Sequence, residues 1–185
     1  MSTIFVLLIL LGFVLLVVTL LGMFLPNAWQ IEKAELIHAS PAELFQLINF
    51  LNKWPEWSVW NNENDDRLDF EYKGPDGGLG AIQIWADGPI NGQLTITRSV
   101  LDKELQYQFE IDGGKFIIIG TIVLAVSAGG YTQLAWRCQL NEIKGSNPIT
   151  RYQAYFLQNY FNTTIEESLE NLKSLYLEEE EATEE

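Results

Sequence analysis

The chain has 185 residues, with 25 acidic against 11 basic side chains and a formal net charge of −14. A charge of that sign repels nucleic acid and anionic lipid head groups, so nucleic acid is set aside as a partner. One His and one Cys leave no basis for a His/Cys metal site or an internal disulfide, and neither a metal nor a cofactor is expected.

Residues 4–25 read IFVLLILLGFVLLVVTLLGMFL, and no charged side chain precedes Glu32. As a helix this stretch would be roughly 33 Å long, about the thickness of a bilayer's hydrocarbon core. It lacks the polar face of a core helix. A cleaved signal peptide would want a basic start, a shorter apolar core and small residues at the cut. Here the start is Met-Ser-Thr, and Leu25-Pro26-Asn27-Ala28-Trp29 is a poor cleavage site. The reading is a single-span anchor over 1–27, one domain over 28–177 and an acidic, disordered tail over 178–185. Too few Lys and Arg flank the span to orient it firmly, and the short uncharged N-terminus leans towards an extracytoplasmic domain.

Residues 29–37 read as a strand. Ser40-Pro41-Ala42-Glu43 then supplies an N-cap, Pro at the first helical position and a capping-box Glu, so a helix is expected over 41–51. Trp54-Pro55-Glu56-Trp57-Ser58-Val59-Trp60 follows, where Pro55 blocks continuation and a short second helix or turn lays aromatic surface on the core. Residues 61–67 form a polar loop that includes Asp65 and Asp66. From Leu68 the period becomes two. Strands are expected over 68–72, 81–86, 92–100, 104–111, 115–126 and 131–140, parted by turns at 73–80, 87–89, 101–103, 112–114 and 128–130. In 104–111, Leu105, Tyr107, Phe109 and Ile111 alternate with polar residues, so one face is buried and one wet. Residues 150–177 read as a long amphipathic helix, interrupted or kinked at Asn162-Thr163-Thr164. The order is strand, one or two helices, six strands, long helix. That is an α+β arrangement, an antiparallel sheet of about seven strands wrapped on a long C-terminal helix.

Candidate chemistry is sparse. His38 sits at a strand end without an orienting carboxylate and reads as a surface or edge residue. Cys138 lies on an apolar strand face and reads as an inert thiol. Arg137 and Arg151 are the cations nearest the proposed cavity, and ion pairing is the better reading for them than holding an anionic ligand. Glu167 with Glu170, and Asp65 with Asp66, read as solvated carboxylates. No catalytic residue is recognised. The informative set is aromatic: Trp54, Trp57, Trp60, Trp85, Trp136, Tyr107, Phe109, Tyr152 and Phe156. Such side chains build cores, and in a curved sheet gripping a helix they also line a cavity.

A resemblance is carried by Ile37-His38-Ala39-Ser40-Pro41, Trp54, the Trp57-Ser58-Val59-Trp60 run, Gly78-Leu79-Gly80-Ala81 with Trp85, and Gly92 with Ile96-Thr97. It continues through Gly120-Thr121, Trp136, Asn147-Pro148-Ile149 with Arg151-Tyr152, and the Glu167–Lys173 stretch. Together these residues resemble the START/Bet v 1-like (SRPBCC) superfamily, in its bacterial polyketide cyclase/dehydrase-like branch, whose members often carry an N-terminal membrane helix. The resemblance covers about 31–175 and implies a helix-grip fold with a hydrophobic cavity between sheet and C-terminal helix; it does not imply cyclase activity. The expectation is a membrane-anchored domain that binds a hydrophobic or amphipathic small molecule or lipid, with Trp57, Trp60, Trp85, Tyr107, Phe109, Trp136, Tyr152 and Phe156 as ligand-binding residues. The alternatives are a cyclase, dehydratase or hydrolase acting in the same cavity, and a ligand-free module that docks a protein partner.

Overall fold

The computed structural model describes residues 3–61, 69–86, 91–141, 143 and 147–184. Asp65, Asp66 and the expected turn at 87–89 lie outside the described residues. Helix α1 (Thr3–Phe24) contains the apolar stretch and is the one helix among the described residues long and apolar enough to cross a membrane. Gly22 is its only buried residue.

Strand β1 (Trp29–Ile37) begins only four residues after α1. Helix α2 (Pro41–Ile48) starts as its sequence dictates. The Ser40 hydroxyl accepts from the Glu43 amide, and the Glu43 carboxylate accepts from the Ser40 amide at 2.7 Å. These bonds satisfy two otherwise orphaned donors, and the Ser40 hydroxyl donating to the Glu43 carboxylate at 2.7 Å, with the Ser40 amide beside it, holds that carboxyl below its ordinary range. The helix ends sooner than the apolar spacing suggests. A separate 3-10 turn over Leu51–Glu56 carries Pro55 inside it, because proline removes an amide and favours a fresh start.

Six strands follow: β2 (Asp69–Lys73), β3 (Ile82–Ala86), β4 (Gly92–Val100), β5 (Glu104–Ile111), β6 (Phe116–Val126) and β7 (Thr132–Leu140). With β1 they make one seven-stranded, wholly antiparallel sheet in the order β1-β7-β6-β5-β4-β3-β2. The consecutive strands form a meander, and β1 closes on β7, with Trp29 opposite Leu140 and Ile37 opposite Thr132. Burial alternates residue by residue along β5 and β7, so Leu105, Tyr107, Phe109 and Ile111 share one face with Leu134, Trp136, Cys138 and Leu140. A bulge between Ile96 and Arg98 in β4 bends the sheet.

Helix α3 (Pro148–Glu184) covers the inner face of the curved sheet. Asn147 caps it, its side-chain oxygen accepting from the Thr150 amide at 2.9 Å, with Pro148 in the first turn where no amide is needed. Ala154, Leu157, Phe161, Ile165, Leu169 and Leu172 face the core. Lys33–Glu166 at 2.8 Å and Lys173–Glu35 at 3.1 Å tie the helix to β1 at its margin. The helix runs unbroken through Asn162-Thr163-Thr164, against the expected interruption. Thr164 turns its hydroxyl back to the Tyr160 carbonyl at 2.9 Å, and Ser168 does the same to Thr164 at 2.6 Å, which keeps both hydroxyls satisfied inside a helix.

Candidate functional site

The interior between sheet and α3 is built from rings. Trp54 comes from the 3-10 turn, Trp57 and Trp60 from the segment after it, Tyr107 and Phe109 from β5, Trp85 from β3, Trp136 from β7 and Phe161 from α3. Their centroids lie 4.7–6.3 Å apart in tilted, stacked and edge-to-face pairs, the separations at which aromatic quadrupoles attract. Trp54, Trp57, Tyr107 and Trp136 are at most 1% exposed and fill their part of the interior against one another. Trp60 is half-buried and joins Trp85, Phe109 and Phe161 at the other end of the cluster.

Local backbone explains why the rings fit. Gly120 on β6 stands opposite Tyr107 on β5, and the phenol lies across the space a Cβ would take. Gly92 likewise leaves room beside the Trp85 ring and the Glu110 carbonyl.

One polar chain crosses the apolar interior. The Trp136 indole donates to the Tyr107 hydroxyl at 2.8 Å, and that hydroxyl lies 3.3 Å from Cys138 Sγ. Burial pushes the Tyr107 phenol well above its usual value, the Cys138 sulfur adding to the effect, and burial pushes the Cys138 thiol up to about 12. Both groups are therefore neutral at neutral pH, and neither is a base or a nucleophile there. Among the described residues four buried donors have no partner: the indole N–H groups of Trp29 and Trp57, the hydroxyl of Ser58 and Nε of Arg151.

Of the eight residues the sequence nominates for ligand contact, the structure brings six together: Trp57, Trp60, Trp85, Tyr107, Phe109 and Trp136. It sets the other two apart. Phe156 points outward from α3 at 65% exposure, and Tyr152 lies beside α1, donating from its hydroxyl to the Val18 carbonyl at 2.9 Å. The physical reason is helix phase: positions 150, 154, 157, 161 and 165 face the sheet, so 152 and 156 cannot. Phe161 is the interior ring that the sequence reading left out; its spacing of four from Leu157 and Ile165 is the signal that would have found it.

The remaining candidates take up structural roles. His38 is exposed and lies tilted against the Tyr131 ring, centroids 4.7 Å apart. Arg137 lies on the outer face of the sheet and pairs with Glu32 at 2.8 Å. Arg151 makes no ion pair among the described residues. Its guanidinium donates to the Met23 and Leu25 carbonyls at 2.9 and 2.8 Å, the unpaired acceptors where α1 ends. A small cleft of about 210 Å³ lies outside the ring cluster, lined in part by Leu51, Tyr72, Pro75 and Ile82.

No family model matches the chain, and no curated protein matches it. Solved structures do. An uncharacterised protein from Rhizobium leguminosarum shares 16% identity at a TM-score of 0.58, over 83% of this chain and 96% of its own. Ara h 8.0201 shares 13% at a TM-score of 0.55, over 82% and 99%. The Aha1 protein of Colwellia psychrerythraea, solved as a dimer, shares 16% at 0.54, over 80% and 96%. At these identities the likeness is one of fold, and the fold is Bet v 1-like, a helix grip.

Proposed function

We propose that this chain is a membrane-anchored binding protein for a hydrophobic or amphipathic small molecule or lipid. The ligand would lie between sheet and α3, at the Trp60–Trp85–Phe109 end of the ring cluster. The observation that carries this reading is the chemical character of the interior, which is aromatic and uncharged, with its two titratable groups held neutral. Such a lining favours apolar contact over acid–base work, which argues for binding ahead of a cyclase, dehydratase or hydrolase.

Helix α1 is the proposed anchor, with the domain on the extracytoplasmic side. What supports a retained anchor over a removable leader is its tie to the domain. Arg151 and Tyr152 both bond its backbone, and Gly22 sits against Pro148 and Tyr152. Tethering at the bilayer keeps the domain where apolar ligands are concentrated.

The test is native mass spectrometry of the full chain released from detergent micelles, followed by lipid extraction. A co-purifying apolar molecule that is lost in a folded Trp60→Ala variant is the expected result. A chain that emerges empty, and stays empty when offered lipids, overturns the reading.

A further inference from the structure

Helix α3 carries a second apolar stripe that the ring cluster does not use. Ile149, Tyr152, Phe156 and Tyr160 fall within an arc of about 80° on a helical projection, roughly opposite the face that packs on the sheet. Ile149 is 72% exposed and Phe156 is 65% exposed, and Tyr155 and Tyr160 beside them are each 42% exposed. A row of large apolar side chains open to solvent on one helix face calls for a covering surface.

Charge says what kind of surface. In a chain with 25 acidic residues, the stretch 147–165 contains none, and its one charged residue is Arg151. The carboxylates resume at once with Glu166, Glu167 and Glu170. The stripe thus occupies the acid-free part of an otherwise strongly negative helix, the part that approaches a lipid surface without repulsion.

Position says where that surface is. Gly22 of α1 is so close to Pro148 that an added Cβ would come within 2.7 Å of the proline ring. One turn further along α3, Tyr152 reaches back to the carbonyl of Val18, about 6 Å nearer the middle of α1 at 1.5 Å per residue. The start of α3 therefore runs antiparallel to the end of α1. If α1 crosses a bilayer, the first turns of α3 lie at the level of the head groups, with Tyr152 below them.

We infer that the outer face of α3, from Ile149 to Tyr160, is a second membrane contact that beds the domain into the bilayer beside its anchor, from the interfacial layer inward. This rests on α1 being a membrane anchor, and adds to it a fixed pose. Aromatic residues suit that layer because they are apolar in body and, in tyrosine, polar at the tip. The Arg151 bonds to the Met23 and Leu25 carbonyls set the angle between anchor and seat. Through the Trp60 indole, which donates to the Tyr160 hydroxyl at 2.9 Å, the seat touches the outermost ring of the interior cluster. The lipid-facing side and the proposed ligand space are thus one hydrogen bond apart.

The experiment uses the full chain in phosphatidylcholine vesicles, with a nitroxide on a single introduced cysteine. The variants are Phe156→Cys, Leu101→Cys in the exposed β4–β5 turn, and Leu11→Cys in α1. Cys138 is buried and does not compete for label. Collision with oxygen, which partitions into lipid, is compared with collision with a water-soluble nickel chelate. The expected oxygen-to-nickel ratio at Phe156→Cys is several-fold above that at Leu101→Cys, approaching that at Leu11→Cys. If Leu11→Cys reads as lipid and Phe156→Cys reads as water, this inference falls and the anchor stands. A Leu11→Cys label in water overturns both. Spin–spin broadening at Phe156→Cys that disappears on dilution with unlabelled chain means a second copy covers the stripe, and also overturns the inference.

Discussion

Two aromatic surfaces meet along α3. The inner one, with Trp57, Trp60, Tyr107, Phe109, Trp136 and Phe161, is held ring to ring by the sheet. The outer one, Ile149, Tyr155, Phe156 and Tyr160, is open and bounded by the end of α1. Both use the same residue types. What separates them is constraint. Each inner ring is fixed by neighbours from several elements, as Tyr107 is by Gly120, Trp136 and Cys138. Outer side chains are fixed mainly by their own helix. The inner set therefore determines whether the domain folds, and the outer set determines what the folded domain rests on.

That contrast can be broken or sharpened in order of expected effect. Trp136→Ala removes the ring that touches Trp54, Trp57 and Trp60 and takes away the indole donor of the Tyr107 hydroxyl, and should cost about 3–5 kcal/mol, read as a fall in the midpoint of thermal unfolding in mild detergent. Gly120→Ala places a methyl group where the Tyr107 ring lies, and should cost about 1–3 kcal/mol by the same measurement, with a changed near-UV spectrum as the ring is displaced. Raising the pH should weaken the inner set. Cys138 has a folded pKa raised from 9.0 to about 12, and the Tyr107 phenol is raised too, so both contribute fully below their unfolded values. Between pH 9 and 12 the unfolded chain loses protons that the native chain keeps, and stability declines steadily; a denaturation midpoint that is flat across that window would contradict the buried assignment. At the small end, Phe156→Ser should alter stability in detergent by no more than about 0.5 kcal/mol, since the ring is exposed and unpacked against the core. A loss comparable to that of Trp136→Ala would mean the two surfaces are not separate.

Much of the architecture was readable from one sequence. The seven strands were, because period-two alternation is a strong signal where one face is wet, and β4 and β5 begin and end where the pattern does. The start of α2 was, because its capping box is local chemistry. The interior of α3 was only partly readable. Two stripes run along that helix, Ala154–Leu157–Phe161–Ile165 and Ile149–Tyr152–Phe156–Tyr160, and both are apolar at helical spacing. Nothing in the spacing says which one meets the sheet; Phe161 packs inward, while Tyr152 and Phe156 do not. Arg151 illustrates a different limit. Its partners are main-chain carbonyls of α1, more than 120 positions away, and a carbonyl has no letter in the sequence. The run through Asn162-Thr163-Thr164 looked like a break because Thr competes with helical backbone; here its hydroxyl bonds back to the preceding turn and the helix continues.

The pairing of β1 with β7 has a consequence for how the chain is made. Strand β1 is the first part of the sheet to be synthesised, and β7 is the last. At ribosomal speeds the stretch between Ile37 and Thr132 takes roughly 5–20 s to emerge. Throughout that interval the meander from β2 onward can zip up locally, while β1 has no neighbour to accept its backbone bonds. The final event in assembling the sheet is therefore the return of the newest strand to the oldest, the longest loop closure in the sheet. A first strand held only four residues from the end of α1 has little room to wander before then, so the apolar helix that emerges just before it also keeps an unpaired sheet edge in place until its partner exists.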